Sequence, residues 1–273
     1  MARRVAVIGL GLIGGSICLG LKDKVETVVG VETNPGYAEY ALRHGFVDRV
    51  SAASDIVGDS DLIFVCVPPS EVAGCVARAA HAAAPGTVIT DTASVKRRVC
   101  EEVIRQLPGE RLFVGGHPMA GRERSGPAFA DAGLFCGKPW VLTDRNDLVE
   151  DAVESLGAIP VFMSAEEHDR VAAVVSHVPL LVSAALMLTL GDSQEQMASS
   201  GFCDMTRLAA SNLQMCLDIC AENRDAIADA GGAFLSRFKQ ILNALLDEQA
   251  ELPRLLGEAR QRRLCVAARK GWV

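Results

Sequence analysis

Basic residues are in deficit in this sequence. It has 27 Lys and Arg against 34 Asp and Glu, a formal net charge of −7 and a pI near 5.3. A nucleic-acid binder usually carries a basic face, so that partner class is not expected. The C-x-x-C pattern is missing too. Nine cysteines stand at 18, 66, 75, 100, 136, 203, 216, 220 and 265, an odd number, mostly within apolar runs. They read as reduced core thiols in a reducing compartment. Cys216 and Cys220 share a helix face, but no His or further Cys lies close by in sequence, so no metal centre is expected. Long uninterrupted apolar runs are scarce. The longest, such as residues 178–190, contain Pro and Ser and fall short of a bilayer span. The N-terminus enters a strand pattern without a signal-peptide layout. The expectation is a soluble cytoplasmic protein with no membrane partner.

The 273 residues are 49% hydrophobic and 22% charged, enough for one large domain or two modest ones. Short β-branched runs at 5–8, 27–31, 62–67, 87–90, 112–114 and 140–143 read as buried parallel strands, and 160–163 as a last one. Helical patterns at 13–22, 71–83 and 95–106 separate them. This alternation predicts an α/β fold: an N-terminal Rossmann-type doubly wound parallel sheet over residues 1–165. Beyond it the strand signal fades, and an all-helical C-terminal domain is expected over 166–273, punctuated by Gly191, Gly201, Gly231, Gly232 and Pro253. The arginine-rich run 252–269 reads as a solvated amphipathic helix.

"VAVIGLGLIGGS" sets Gly9, Gly11 and Gly14 in G-x-G-x-x-G, after a strand and opening a helix, with Leu12 and Ile13 between them. The glycines permit a tight turn and let a pyrophosphate approach the helix N-terminus, whose N–H groups attract anions. Glu32 ends the next strand, 18 residues after Gly14. Its carboxylate suits the ribose hydroxyls and repels a 2′-phosphate, and no Lys or Arg follows until Arg43. NAD is therefore favoured over NADP.

The segment "GGHPMAGRERSG", residues 115–126, follows a strand at its carboxyl end, where an open α/β sheet has its cofactor crevice. His117 there has an imidazole suited to proton abstraction near neutral pH, and Pro118 restricts its backbone. Gly115 and Gly116 are read as keeping side chains off the nicotinamide, and Arg122, Glu123 and Arg124 as a charged rim. In "DTASVK", Ser94 is a natural N-cap for the following helix and is also placed to bond His117. In "EEHDRVAAVVSHVPLL", His177 shares the row Val174–His177–Leu181, an apolar face, beside a kink expected from Pro179. His168 reads as structural. Arg207, in "GFCDMTRLAAS", is either an i, i+3 surface partner of Asp204 or a partly buried carboxylate clamp. No lysine lies between Lys138 and Lys239. Two-domain dehydrogenases of such a layout often place a catalytic Lys on a helix of the second domain. Here proton transfer falls to His117 or His177.

Taken together and in order, "GLGLIGGS", "DTASVK", "GGHPMAGRERSG", "EEHDRVAAVVSHVP" and "GFCDMTRLAAS" resemble the prephenate and arogenate dehydrogenases of tyrosine biosynthesis over nearly the whole chain. The resemblance implies NAD(P)-dependent oxidative decarboxylation of a small dicarboxylate. It implies that His117 accepts the ring hydroxyl's proton with Ser94 bonded to it. Arg207 would bind a substrate carboxylate, His177 would contact substrate, and Glu123 would lie at the pocket mouth. It also implies a homodimer formed through the helical domain; the sequence ends soon after that domain, so the fused regulatory or mutase domains that some members carry are not expected. Ala93 stands for the usual Gly, Leu180 for a frequent second His, and Asn212, Leu213 and Cys216 for a frequent Asp-Pro and Trp. The last three lie close to Arg207 and bear on substrate preference. Two other readings stay open: an imine or β-hydroxyacid oxidoreductase of similar layout, opposed by the missing helical Lys, and a non-catalytic NAD-binding sensor, opposed by the intact Ser94, His117, His177 and Arg207.

Overall fold

A computed structural model describes residues 2–107, 112–122, 124–246 and 251–271. The chain forms two compact units, Met1–Ile227 and Ala228–Val273.

In the first unit six strands form one parallel sheet: β1 (Arg4–Ile8), β2 (Thr27–Val31), β3 (Arg49–Ser51), β4 (Leu62–Val65), β5 (Val88–Asp91) and β6 (Leu112–Val114). Their order is β3-β2-β1-β4-β5-β6, with every neighbouring pair parallel. This is the doubly wound order, whose switch point lies between β1 and β4. Strands β1 and β4 are buried on both faces, which explains their unbroken apolar runs. Helices α1 (Leu12–Leu21), α2 (Pro35–Arg43), α3 (Val72–Ala82) and α4 (Arg97–Gln106) connect the strands. Strand β3 was not anticipated. It is three residues long and only half-buried, too short for a periodic signal.

A second sheet departs from the expectation that residues 140–143 extend the parallel sheet. Strands β7 (Gly116–Pro118), β8 (Pro139–Leu142) and β9 (Ile159–Phe162) form it, with β7 antiparallel to β8 and β8 parallel to β9. Only two residues after β6 the chain is already in β7, and Thr143 N donates to the Gly115 carbonyl at 2.9 Å. The chain is thereby turned off the main sheet. Trp140 is fully buried against the rings of Phe64 and Phe135, so β8 shares the core without joining the parallel ladder. Helix α5 (Asp147–Ser155), capped by Asn146, links β8 to β9.

No strand follows β9 among the described residues. Helix α6 (Ala165–Ala172) continues through a π-helical turn, Ala173–His177, into α7 (Val178–Leu188). Residues 178–190 alone fall short of a bilayer span, but the joined stretch Ala165–Leu188 is long and apolar enough to cross one by length and composition. One side of it, carrying His168, Asp169, Ala172, Ala173, His177 and Ser183, is buried in the unit. Helices α8 (Ser200–Thr206) and α9 (Leu213–Glu222) follow, then α10 (Arg224–Leu246). The second unit holds the rest of α10 and α11 (Glu251–Lys270). Gln240 Nε2 donates to Glu251 Oε1 at 3.0 Å between those two helices, and α11 is largely exposed, as its charge pattern suggested.

Candidate active site

The nucleotide end is built by β1, its following loop and α1. Gly9 adopts φ +89°, and a Cβ on Gly14 would lie 1.9 Å from the Gly9 carbonyl oxygen. No other residue fits at Gly14, and a residue other than Gly is strained at Gly9. Gly11 caps α1 without a side-chain hydrogen bond, and an added Cβ there would meet nothing within 4 Å. The first-turn N–H groups of Leu12, Ile13 and Gly14 therefore carry the helix's positive end with no side chain neutralising it. Glu32 is fixed at the tip of β2: Oε2 accepts from Leu10 N at 2.8 Å and Oε1 from Asn34 N at 2.7 Å. Each oxygen keeps a lone pair for a further donor. An uncapped Gly-rich helix start beside an anchored carboxylate fits a dinucleotide's pyrophosphate and ribose.

The catalytic end starts at Asp91, the last residue of β5. Asp91 and Lys96 form an ion pair whose side chains are both fully buried. Asp91 Oδ2 also accepts from Ala93 N at 2.9 Å, and Oδ1 accepts from Gly116 N at 3.0 Å. One carboxylate thus ties together the β5 end, the turn into α4, and β7. Gly116 is needed because a Cβ would lie 2.5 Å from the Asp91 carbonyl oxygen. Its smallness serves this packing.

His117 lies in β7, not in a loop, and its backbone is in register with Val141. It is 8% exposed. Its Nδ1 lies 2.8 Å from His168 Nε2, and His168 Nδ1 lies 2.8 Å from Asp169 Oδ1. His168 is therefore the middle of an Asp169–His168–His117 chain, where sequence reasoning had read it as structural. The signal available was the acid directly following it in "EEHDR". Asp169 only accepts, so His168 Nδ1 carries a proton, and the ring form with that single proton has its Nε2 bare. That bare nitrogen accepts from His117 Nδ1–H, which leaves His117 Nε2 as the lone-pair nitrogen. Burial, followed by the neighbouring His168, Lys96 and His177, holds the His117 pKa well below its usual value.

Asp169 also accepts from Lys96 N at 2.7 Å and Arg97 N at 3.0 Å. It thereby caps α4 from a distance of 73 residues in sequence. Burial opposes its charge, but bonds from His168 and from the Arg97 and Lys96 N–H groups outweigh that, and its pKa is lowered. Ser94 does neither thing expected of it. Helix α4 begins at Arg97, its N-terminal N–H groups go to Asp169, and no hydrogen bond joins Ser94 to His117 among the described residues. Ser94 instead lies beside His177, whose pKa its backbone raises slightly.

His177 ends the π-helical turn and is 1% exposed, while Val174 and Leu181 are 61% and 42% exposed. The expected shared row fails because a π turn inserts an extra residue and rotates the faces before and after it. The same turn is the local consequence of Pro179, which cannot donate into the preceding turn. Burial lowers the His177 pKa to about 4, with Asp169 opposing and His168 adding to the shift. Its Nδ1 lies 3.2 Å from Asn223 Nδ2, and its Nε2 makes no hydrogen bond of normal geometry.

Arg207 opens a 3-10 turn, Arg207–Ala210, and is exposed, not partly buried as its apolar neighbours suggested. The turn is held to α7 because Ala209 N donates to the Ser183 hydroxyl at 2.9 Å. Of the rim expected from residues 122–124, Arg122 pairs with Asp131 at 2.5 Å and Arg124 stacks over Phe129. Glu123 lies outside the described residues.

Residues 17–161 match the family model for the prephenate dehydrogenase nucleotide-binding domain, and 164–258 match that for the prephenate dehydrogenase dimerization domain. The chain is 33% identical to a prephenate dehydrogenase of Bacillus subtilis over 268 residues, covering 92% of this chain and 72% of that protein. Among solved structures, the prephenate dehydrogenase of Aquifex aeolicus in complex with hydroxyphenyl propionate and NAD+ superposes with a TM-score of 0.88. It is 27% identical, with 97% of this chain and 98% of that one covered. The arogenate dehydrogenase of Synechocystis superposes with a TM-score of 0.81 at 28% identity, covering 95% and 98%. Two family models spanning residues 17–258 and a relative 33% identical over 92% of the chain show that the chain belongs to the prephenate dehydrogenase family.

Proposed function

We propose that the chain oxidatively decarboxylates prephenate or arogenate with NAD, giving 4-hydroxyphenylpyruvate or tyrosine. The observation that carries this is the polarised chain Asp169–His168–His117, which ends in a bare Nε2 at the carboxyl end of the parallel sheet. NAD, when bound, supplies the hydride acceptor. Its pyrophosphate is assigned to Gly9, Gly11, Leu12, Ile13 and Gly14, and its ribose to Glu32. His117 Nε2 takes the proton of the ring hydroxyl as the ring carbon bearing it loses hydride. The bond from the ring to its carboxylate breaks, CO2 leaves, that electron pair completes the aromatic ring, and the phenolate oxygen so formed takes the proton back from His117 Nε2. The imidazolium formed on His117 still donates from Nδ1 to His168, and the Asp169 carboxylate stabilises its charge through that ring. Ser94 lines the pocket through its backbone. Arg207, exposed on a turn pinned to α7, is assigned to a substrate carboxylate, a role suited to the forked guanidinium. Glu123 is assigned to the pocket mouth.

The protein is assigned to the cytoplasm as a soluble homodimer. A row of exposed apolar residues on α10, Phe234, Phe238, Leu242 and Leu245, supports pairing through the helical part, as does the match to a dimerization domain. We place the domain boundary near residue 165, shortly after the last strand, β9, ends at Phe162.

Offering prephenate or arogenate with NAD or NADP, and following reduced cofactor and aromatic product, tests the assignment. Turnover with NAD and at least one of the two acids is expected. No turnover in any of the four combinations would overturn it.

A further inference from the structure

His177 is a buried imidazole whose Nε2 makes no hydrogen bond of normal geometry among the described residues, with the Ser94 backbone close enough to raise the ring's pKa. Its other nitrogen is held by Asn223, a residue at the end of α9 that is itself 3% exposed. Asn223 Nδ2 lies 2.8 Å from the Asp169 backbone carbonyl and 3.2 Å from His177 Nδ1. A carbonyl oxygen only accepts, so the amide nitrogen of Asn223, not its oxygen, must face Asp169. That settles the orientation of the amide group. One of its two N–H bonds goes to Asp169 and the other points at His177 Nδ1. A nitrogen that accepts a hydrogen bond is not protonated, so the proton of neutral His177 sits on Nε2.

We propose that Asn223 is a positioning residue that fixes the Nε2–H tautomer of His177, making this ring a neutral hydrogen-bond donor to an oxygen of the bound substrate and not a second base. The assignment of that oxygen to a substrate rests on the dehydrogenase reading above; the tautomer does not. The groups facing His177 are consistent with a neutral ring. Burial and His168 disfavour its charged form, while Asp169 and the Ser94 backbone favour it. The two histidines then divide the work. His117 is held with Nε2 bare, to accept a proton, and His177 with Nε2 protonated, to donate a bond. Asp169 is the common anchor: its side chain sets the first polarity, and its backbone carbonyl sets the second.

The test is a long-range 1H–15N correlation spectrum of the full chain, labelled at its five histidines, near pH 7.5. The His177 signals are identified by their loss in His177→Gln. A protonated Nε2 and a bare Nδ1 are expected. A protonated Nδ1, or a doubly protonated ring, overturns the proposal, and this measurement needs no variant at 223. Asn223→Leu removes both donors. It is expected to relax His177 into a mixture containing the Nδ1–H form, and to raise KM for the substrate about tenfold with kcat near wild type. An unchanged tautomer in Asn223→Leu, or a fall in kcat with KM unchanged, overturns it. The predicted tautomer in a protein that turns over neither acid would sink the dehydrogenase reading and leave the tautomer assignment standing.

Discussion

At the residue scale, two histidines of the same chain are kept neutral by burial while their protons are placed oppositely. This has a consequence for stability that needs no substrate. Unfolded, His177 takes a proton near pH 6.5; folded, it resists until about pH 4. Between those values the unfolded chain holds a proton that the folded chain does not, so acid favours unfolding there. The contribution is on the order of 3 kcal/mol across the window, and it is absent above pH 6.5. Denaturant melts at successive pH values are expected to show stability falling from pH 6.5 toward 4, with a flatter profile for His177→Gln. Identical profiles for the two proteins would contradict the buried, neutral His177. His117 adds loss in the same direction, since its pKa is also lowered.

At the scale of elements, the site is an agreement among β5, β7, α4 and α6. Asp169, on α6, caps α4 and orients His168, and His168 reaches β7. Replacing His168 with Leu keeps bulk in the core but cuts this link. kcat is expected to fall roughly 100-fold, with NAD affinity unchanged, because the ring of His117 loses the partner that fixes its tautomer. Steady-state kinetics beside a fluorescence titration with NAD measure both, and a kcat near wild type would remove His168 from the catalytic apparatus.

How far these elements could be read from sequence follows from the range of each signal. The glycine loop, Glu32 and five of the six parallel strands were legible because their cues are local: a motif at fixed spacing, or a run of β-branched residues. Strand β7 was missed because it is three residues long and contains Gly and Pro, both poor strand formers. The pairing of residues 139–142 with β7 depends on a partner more than 20 positions away, and nothing local distinguishes it from a parallel strand. Ser94 looked like a cap because Ser usually is one; the real cap comes from 73 residues downstream. The face of His177 was misjudged because helical spacing assumes 3.6 residues per turn, and a π turn breaks that count.

At the scale of the whole molecule, the doubly wound sheet supplies the nucleotide loop, the second sheet holds His117 in β7, and helix α6 holds His168 and Asp169, which orient it. The central claim is that one proton acceptor, His117, couples hydride loss to decarboxylation. Its most direct test is the simultaneous rate of NADH and CO2 formation in the wild type and in His117→Asn, with NAD binding measured on both. The wild type should release the two in equal amounts. The variant should bind NAD normally and lose about 100-fold or more in kcat. A variant with wild-type kcat, or NADH appearing without CO2, would contradict the account.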